Sequence, residues 1–417
     1  MSSEWGTYLL GDVVSFNTGK LDSNAAEFQG KFPFFTCSPN TLRINSYAFD
    51  TEAVILAGNN ANGVFSTKYY SGKFNAYQRT YVIEPRNKEA LSCRFMYFVV
   101  RHMVDHLQEL SVGSATKFLT KTILNAIPVL LPPKREQDTI AATLSSLDDR
   151  IMLLRETNAT LEAIAQALFK SWFVDFDPVR AKIEGCVPDG MDEATAALFP
   201  DGFEESGLGL VPRTWSVLAF RETIDVIGGG TPKTSVAEFW GGEIPWFSVV
   251  DAPSASDVFV VDTEKHITVA GLNGSSTKLL PTGTTIISAR GTVGRLALTS
   301  RPMAMNQSCY GLRGKAGDDF FTYLSTARLV EQLKQRAHGS VFDTITQETF
   351  SGVSVCYPSL ELILSFEDAV RPMFERVREN LIQARCLAEL RDTLLPRLIS
   401  GQLSLPEAAI EIEAIAA

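Results

Sequence analysis

The stretch "LPPKREQDTIAATLSSLDDRIMLLRETNATLEAIAQALFKSW" (131–172) decides the architecture of this chain. Apolar residues fall at Ile140, Leu144, Leu147, Ile151 and Leu154, then, past Asn158, at Leu161, Ala165, Leu168 and Trp172. Steps of four and three alternate throughout, which is the seam of a helix packed along its length on another helix. The pattern predicts a helix over roughly 134–173, on the order of 60 Å long at 1.5 Å per residue. Its far end, "QALFKSWFVDFDPV" (166–179), crowds Phe169, Trp172, Phe173 and Phe176 together before Pro178, which is expected to end the helix.

The partner helix lies further along the same chain. Moved by 226 residues without a gap, the seam becomes Phe366, Val370, Met373, Val377, Asn380, Ala384, Leu387, Arg391, Leu394 and Leu398. The same shift lays "VGSATKFLTKTILNAIPVLLPP" (112–133) on "HGSVFDTITQETFSGVSVCYPS" (338–359), matching Gly113 with Gly339, Thr120 with Thr346 and Pro132 with Pro358. Upstream, "WGTYLLGDVVSFNTG" from Trp5 resembles "WSVLAFRETIDVIGG" from Trp215, and Gln78 and Tyr81 correspond to Gln307 and Tyr310. The chain is therefore read as two copies of one unit. Self-association of the first helix into a coiled-coil oligomer is the alternative to pairing within the chain. Polar residues interrupt the seam at different levels in the two copies, a device that fixes register and partner at a cost in stability.

Each copy opens with a block rich in Gly, Asn, Thr and β-branched residues, which predicts short strands and turns with some helix near 92–110 and 318–337. The fold class expected is α+β: two globular domains separated by two long helices packed as an antiparallel coiled coil, with an internal pseudo-twofold repeat. The divisions expected are 1–130, 131–204, 205–358 and 359–417.

The 417 residues exceed what one core can hold, and 45% hydrophobic with 21% charged residues is a folded composition. No apolar run approaches the roughly 20 residues that span a bilayer. The start, "MSSEWGTYLLGD", has no secretory pattern, and the six cysteines form no CxxC pair, so a cytoplasmic protein with free thiols is expected. The net charge of −10 argues against nucleic acid as a partner when taken whole. The excess acid, however, sits in 129–204 and 358–417, whereas 1–128 and 205–357 are close to neutral. Acidic helices suit protein partners and repel phosphates.

Over "LPPKREQDTIAATLSSLDDRIMLLRETNATLEAIAQALFKSWFVDFDPVRAKIEG" the chain closely resembles the central conserved region of Type I restriction–modification DNA-specificity subunits. "GGGTPKT", "FWGGEIPWFSVVD", "KHITVAGLNGSSTKLLPTGTTIISARGTVG" and "MNQSCYGL" resemble a common target-recognition domain of that family, and "LRDTLLPRLISGQL" resembles its C-terminal segment. The resemblance implies a non-catalytic subunit whose two target-recognition domains each read half of a split double-stranded DNA site. It implies that the helices act as spacer and dock two methyltransferase subunits, and that a motor-nuclease subunit joins for restriction. S-adenosylmethionine, ATP and Mg²⁺ would then be bound only by those partners; no cofactor, metal or membrane is expected for this chain. A stand-alone nuclease or methyltransferase, or a coiled-coil scaffold that never meets DNA, are the competing readings.

Base edges are read by Arg, Lys, Asn and Gln with help from hydroxyls and aromatics. "GNNANGVFSTKYYSGKFNAYQR" (58–79) offers Asn59, Asn60, Asn62, Lys68, Lys73, Gln78 and Arg79, and "VGSATKF" offers Ser114, Thr116 and Lys117. The second domain offers Thr231, Lys233, Thr234, Trp246, Ser248, Arg290, Arg295, Asn306, Gln307 and Ser340. Each is equally readable as an ordinary turn or surface residue. Gly58, Asn59 and Asn60 could mark a turn needing positive φ, the recurrence of Gln78 and Gln307 suits a structural role, and Trp246 suits a core edge. Phe173 and Phe176 are candidates for contact with a methyltransferase.

Catalytic patterns are missing from the sequence. His102 and His106 are four apart, but Met103 follows His102 where a zincin has its glutamate. No GxxxxGK[ST] loop is present, and "SARGTVGR" lacks the strand and helix setting of a dinucleotide site.

Overall fold

The heptad pattern becomes one continuous 37-residue helix, Lys134–Lys170, in a computed structural model that describes residues 5–60, 65–111, 117–188, 190–253, 257–336 and 344–416. A single π-helical turn, Ser171–Asp175, extends it, and Phe176 ends it in the left-handed region at φ 58°. Pro178 therefore does not stop this helix; it sits in the first turn of a new one, Asp177–Ile183, where its missing N–H costs nothing. The second long helix, Leu360–Ile399, has 40 residues.

The chain forms two compact units: residues up to Ile151 with Cys386 onward, and Met152–Arg385. Each unit thus holds one mixed α/β domain and a stretch of both long helices. The compact units cut through the helices, because each domain buries its apolar face on the helix pair. In the first unit one core joins Leu124 and Val129 of the domain to Leu144 and Leu147 of the first helix and Leu394 and Leu398 of the second. In the second unit a core joins Phe320, Phe321 and Trp215 to Phe169, Phe173 and Phe366.

The helices run antiparallel in the second unit, where Asn158 meets Asn380 while Phe169 meets Phe366. Ile140, Leu144, Leu147, Ile151, Leu154, Asn158 and Trp172 are buried, as are Val370, Val377, Leu394 and Leu398. Leu161, Leu168, Met373 and Leu387 are only half-buried, while the neighbours Phe169, Phe374 and Leu390 are buried. The stripe is wider than a two-position seam because these helix faces must cover a domain as well as the partner helix.

The first domain is built on a six-stranded sheet in the order Val14–Thr18, Thr80–Pro85, Phe49–Ala57, Thr67–Ala76, Phe32–Phe35, Leu42–Ile44. The second repeats it with a break. Five strands run Ile224–Gly228, Cys309–Gly314, Thr285–Ser288, Leu296–Thr299, Phe259–Val260, and a separate three-stranded sheet holds His266–Ile267, Trp240–Phe247 and Ala304–Met305.

The duplication is visible bond by bond. Thr18 pairs with Tyr81, and Gly228 with Tyr310. Phe35 lies parallel to Ala76, and Phe247 to Met305. The Leu10 amide donates to the Ile127 carbonyl and the Phe220 amide to Val353, both at 2.8 Å. The matched threonines do the same work: Thr120 caps Lys121–Asn125 by accepting the Ile123 amide, and Thr346 caps Gln347–Ser351 by accepting the Thr349 amide. Gly19 and Gly229 also correspond. A Cβ on either would lie 1.7 Å from the Ala76 oxygen or 1.9 Å from the Asn306 oxygen, so only glycine fits where the chain passes this close to the neighbouring strand.

Candidate nucleic-acid interface

In each domain the loops that carry most of the candidate residues meet at one end of the sheet, held by the same hydrogen-bond relay. In the first domain the Leu119 amide donates to Gly58 O at 2.9 Å, and the Gly58 amide to Arg79 O at 2.8 Å. In the second, the Ile345 amide donates to Ala289 O at 2.9 Å, and the Ala289 amide to Ser308 O at 2.7 Å. A central strand ends here, and its next residue is sandwiched between two loops that arrive from distant sequence. Gly58 is glycine because a Cβ would come within 2.6 Å of the Arg79 oxygen; its φ is not positive, which corrects the turn reading of this position.

Around Gly58, the short strand Asn59–Asn60 pairs with Lys117–Phe118. The Cys37 thiol donates to Asn59 Oδ1 at 2.8 Å, and the Arg79 guanidinium lies 5.6 Å from the Phe118 ring centroid. Lys68 donates to the Ser38 carbonyl at 3.0 Å, and burial pulls its pKa below the usual lysine value. Asn59, Asn60, Lys68, Arg79 and Lys117 are thus gathered by neighbouring segments. Lys73 is not part of that contact network. It stands opposite Asp50 in the strand register, with Nζ 4.8 Å from the Tyr47 ring centroid. Asn62, Ser114, Thr116 and Ser340 lie outside the described residues.

The second domain brings Thr231, Ser248, Asn306 and Gln307 close together. Thr231 Oγ1 donates to Gln307 Oε1, and the Asn306 amide to the Phe247 carbonyl at 2.9 Å, next to Ser248. Ser248 is occupied locally, since its amide and hydroxyl both donate to Asp251 Oδ2 at 2.8 and 2.9 Å. Arg295 gives its guanidinium to the carbonyls of Ala252 and Pro253 at 3.1 and 2.8 Å, whereas Arg290, Lys233 and Thr234 are exposed.

Two expectations are corrected by burial. Trp246 is 7% exposed, and its indole N–H donates to the Gly230 carbonyl at 3.0 Å. It occupies the register position of Phe34 beside a parallel strand, so it is a core ring and not a reader of bases. Phe173 is 8% exposed among Trp172, Trp215, Phe321 and Phe366, so it is not free to meet a partner protein. Phe176 packs edge-on against Trp215 and Phe203 and is half-buried.

Gln78 and Gln307 turn out to act alike. Gln78 Nε2 donates to Asp22 Oδ1 at 2.9 Å, tying its loop to the segment after the first strand, and Gln307 reaches the equivalent segment through Thr231. Cys37, Ser38 and Phe118 were missed as members of the first cluster. The signal was available: "PFFTCS" (33–38) lies on "PWFSVV" (245–250), which marks the loop after the parallel-paired strand in both copies. Among the described residues no group of three His, Cys, Asp or Glu side chains could hold a metal ion. No helix is long and apolar enough to cross a membrane, again among the described residues.

A family model described as "Type I restriction modification DNA specificity domain" matches residues 2–163 and 212–366, once over each copy. The chain is 32% identical over 371 residues to the Type I restriction enzyme HindI specificity subunit of Haemophilus influenzae, covering 77% of this chain and 80% of that one. It is 38% identical over 231 residues to the EcoDI specificity subunit of Escherichia coli, covering 54% and 49%. The crystal structure of a Type-I restriction-modification system S subunit from M. genitalium superposes with a TM-score of 0.60 over 95% of this chain and 96% of that one, at 16% identity. That likeness speaks to the fold.

Proposed function

The chain belongs to the Type I restriction–modification DNA-specificity family, whose members are recognition subunits without catalysis of their own, and on that premise we propose that it reads a split DNA site, one half with each domain. The observation that carries this reading is the repeated relay at the end of the sheet: Leu119 to Gly58 to Arg79 in one domain, Ile345 to Ala289 to Ser308 in the other. Two equivalent ends bearing different side chains are what two half-sites of different sequence require. Asn59, Asn60, Gln78, Arg79 and Lys117 in the first domain, with Thr231, Lys233, Thr234, Arg290, Asn306 and Gln307 in the second, are the proposed contacts. Lys68 and Arg295, which are committed to carbonyls, shape the loops that carry them.

The long helices set the distance between half-sites and dock two methyltransferase subunits, with Phe176 at that contact; a motor-nuclease subunit completes the restriction complex in the cytoplasm. S-adenosylmethionine, ATP and Mg²⁺ belong to those partners. The near-neutral domains fit this division, because partner subunits would then supply much of the salt-sensitive phosphate contact.

The test is to co-express the chain with its methyltransferase and map the methylated adenines genome-wide. Two short specified sequences separated by a fixed unspecified spacer are expected. A single continuous site, or methylation that ignores sequence, would overturn the reading. Purified chain alone, given DNA, S-adenosylmethionine and Mg²⁺, should neither methylate nor cut.

A further inference from the structure

Two buried polar side chains, one on each long helix, hold the start of a recognition-domain helix. Gln137 is 1% exposed. Its Oε1 accepts the Ser92 amide at 2.9 Å, and its Nε2 donates to the carbonyls of Ala90 and Pro132 at 3.0 and 2.8 Å. Ser92 is the N-cap of the domain helix Cys93–His102. Glu367 is also 1% exposed, and its Oε1 accepts the Phe321 amide at 2.6 Å in the first turn of the domain helix Asp319–Arg336. Its Oε2 lies 3.4 Å from Arg371, whose guanidinium covers the Phe320 ring at 5.5 Å.

The two residues are not equivalent in sequence. At the offset of 226, Gln137 falls on Ile363 and Glu367 on Ala141, one helical turn away. Both nevertheless hold the N-terminal end of the domain helix that docks on the long helix. The contact persists although the position that makes it has moved, so the contact itself has a use in each unit. A second tie accompanies each: Arg101 to Asp148 at 2.9 Å in the first unit, Arg385 to Asp262 at 2.8 Å in the second. Those pairs are partly exposed and individually weak. The buried groups are the stiff points, because breaking them would strand a helix-end amide away from water.

We propose that Gln137 and Glu367 are positioning residues that stop each recognition domain tilting on its long helix, and so make the protein strict about the spacing of the two half-sites. The proposal rests on the split-site reading above. One added base pair moves a half-site by roughly 3.4 Å and turns it by about 35°, for a turn of roughly 35 Å and 10.5 base pairs. Discrimination at that level needs domains that do not rock.

The experiment uses the reconstituted methyltransferase complex and DNA carrying the native spacer or one base pair more or less. Wild type should methylate only the native spacing. Gln137→Leu, Glu367→Leu and the gentler Glu367→Asp, which draws the carboxylate back from Phe321, should keep the half-site sequences. They should lose spacing discrimination by about tenfold, the worth of one net hydrogen bond. Glu367→Gln keeps an acceptor for the Phe321 amide and should retain wild-type strictness. Wild-type discrimination in Glu367→Asp and the leucine variants would overturn the positioning role while leaving the split-site reading intact. A wild-type complex that methylates no split site would overturn both.

Discussion

Glu367 carries a second consequence, for stability against pH. Burial pushes its carboxyl up to about 7; the Phe321 and Phe320 amides and Arg371 oppose the shift, and Asp318 adds to it. An acid whose folded pKa is raised keeps its proton in the native state after the unfolded chain has released it. Its contribution is therefore full below about pH 4.5 and is lost as pH rises through about 7, by about 3 kcal/mol over that window. Urea midpoints at pH 5 and pH 7.5 should show wild type losing stability with rising pH, and Glu367→Gln losing distinctly less. Identical slopes would mean the group is not buried as described. Burial likewise separates the candidates the sequence left level. Trp246 and Phe173 have the right chemistry for contact with a ligand or partner, yet both lie in cores. Asn59 and Arg79 have no more distinctive chemistry, yet they share one loop cluster, Asn59 bonded to Cys37 and Arg79 lying over Phe118.

The long helices were the most legible elements, because a 3.5-residue period sustained over nearly forty residues has no competing reading. The short strands were legible only as a class, since their order depends on partners far away in sequence. One seam detail is informative. Asn380 Nδ2 donates to Asn158 Oδ1 at 2.8 Å, and Asn158 Nδ2 to the Val377 carbonyl at 3.3 Å, with both residues 1% exposed. By the repeat, Asn158 corresponds to Ala384 and Asn380 to Leu154, so the pair occurs once and fits the first helix to the second. Asn158→Leu alone should destabilise by about 1–3 kcal/mol, because Asn380 is left buried without its partner. Asn158→Leu with Asn380→Leu should recover most of that, as apolar replacements of buried polar pairs do. Denaturant melts of the two single variants and the double variant decide it. A double variant as damaged as the sum of the singles would show that the asparagines act independently.

For the whole molecule the expected outcome is modular. Replacing residues 1–128 with the equivalent part of a relative of different specificity should change one half-site in the methylation map and spare the other. Change in both halves would refute the division of labour. Duplication, the pair of long helices and domain count could be read from the sequence because they are written locally or periodically: a heptad row, an ungapped offset, matched ends at Trp5 and Trp215. The common hydrogen-bond relay was half-visible, since Thr120 and Thr346 were aligned but the bonds that their neighbours Leu119 and Ile345 donate to Gly58 and Ala289 were not. Membership of the loop cluster, the exclusion of Trp246 and Phe173, and the clamps at Gln137 and Glu367 were decided only by tertiary structure. Periodicity along one chain reports which face of an element is buried. Which distant backbone amide a buried side chain must satisfy is set by how domain and helix meet, and no local pattern encodes that.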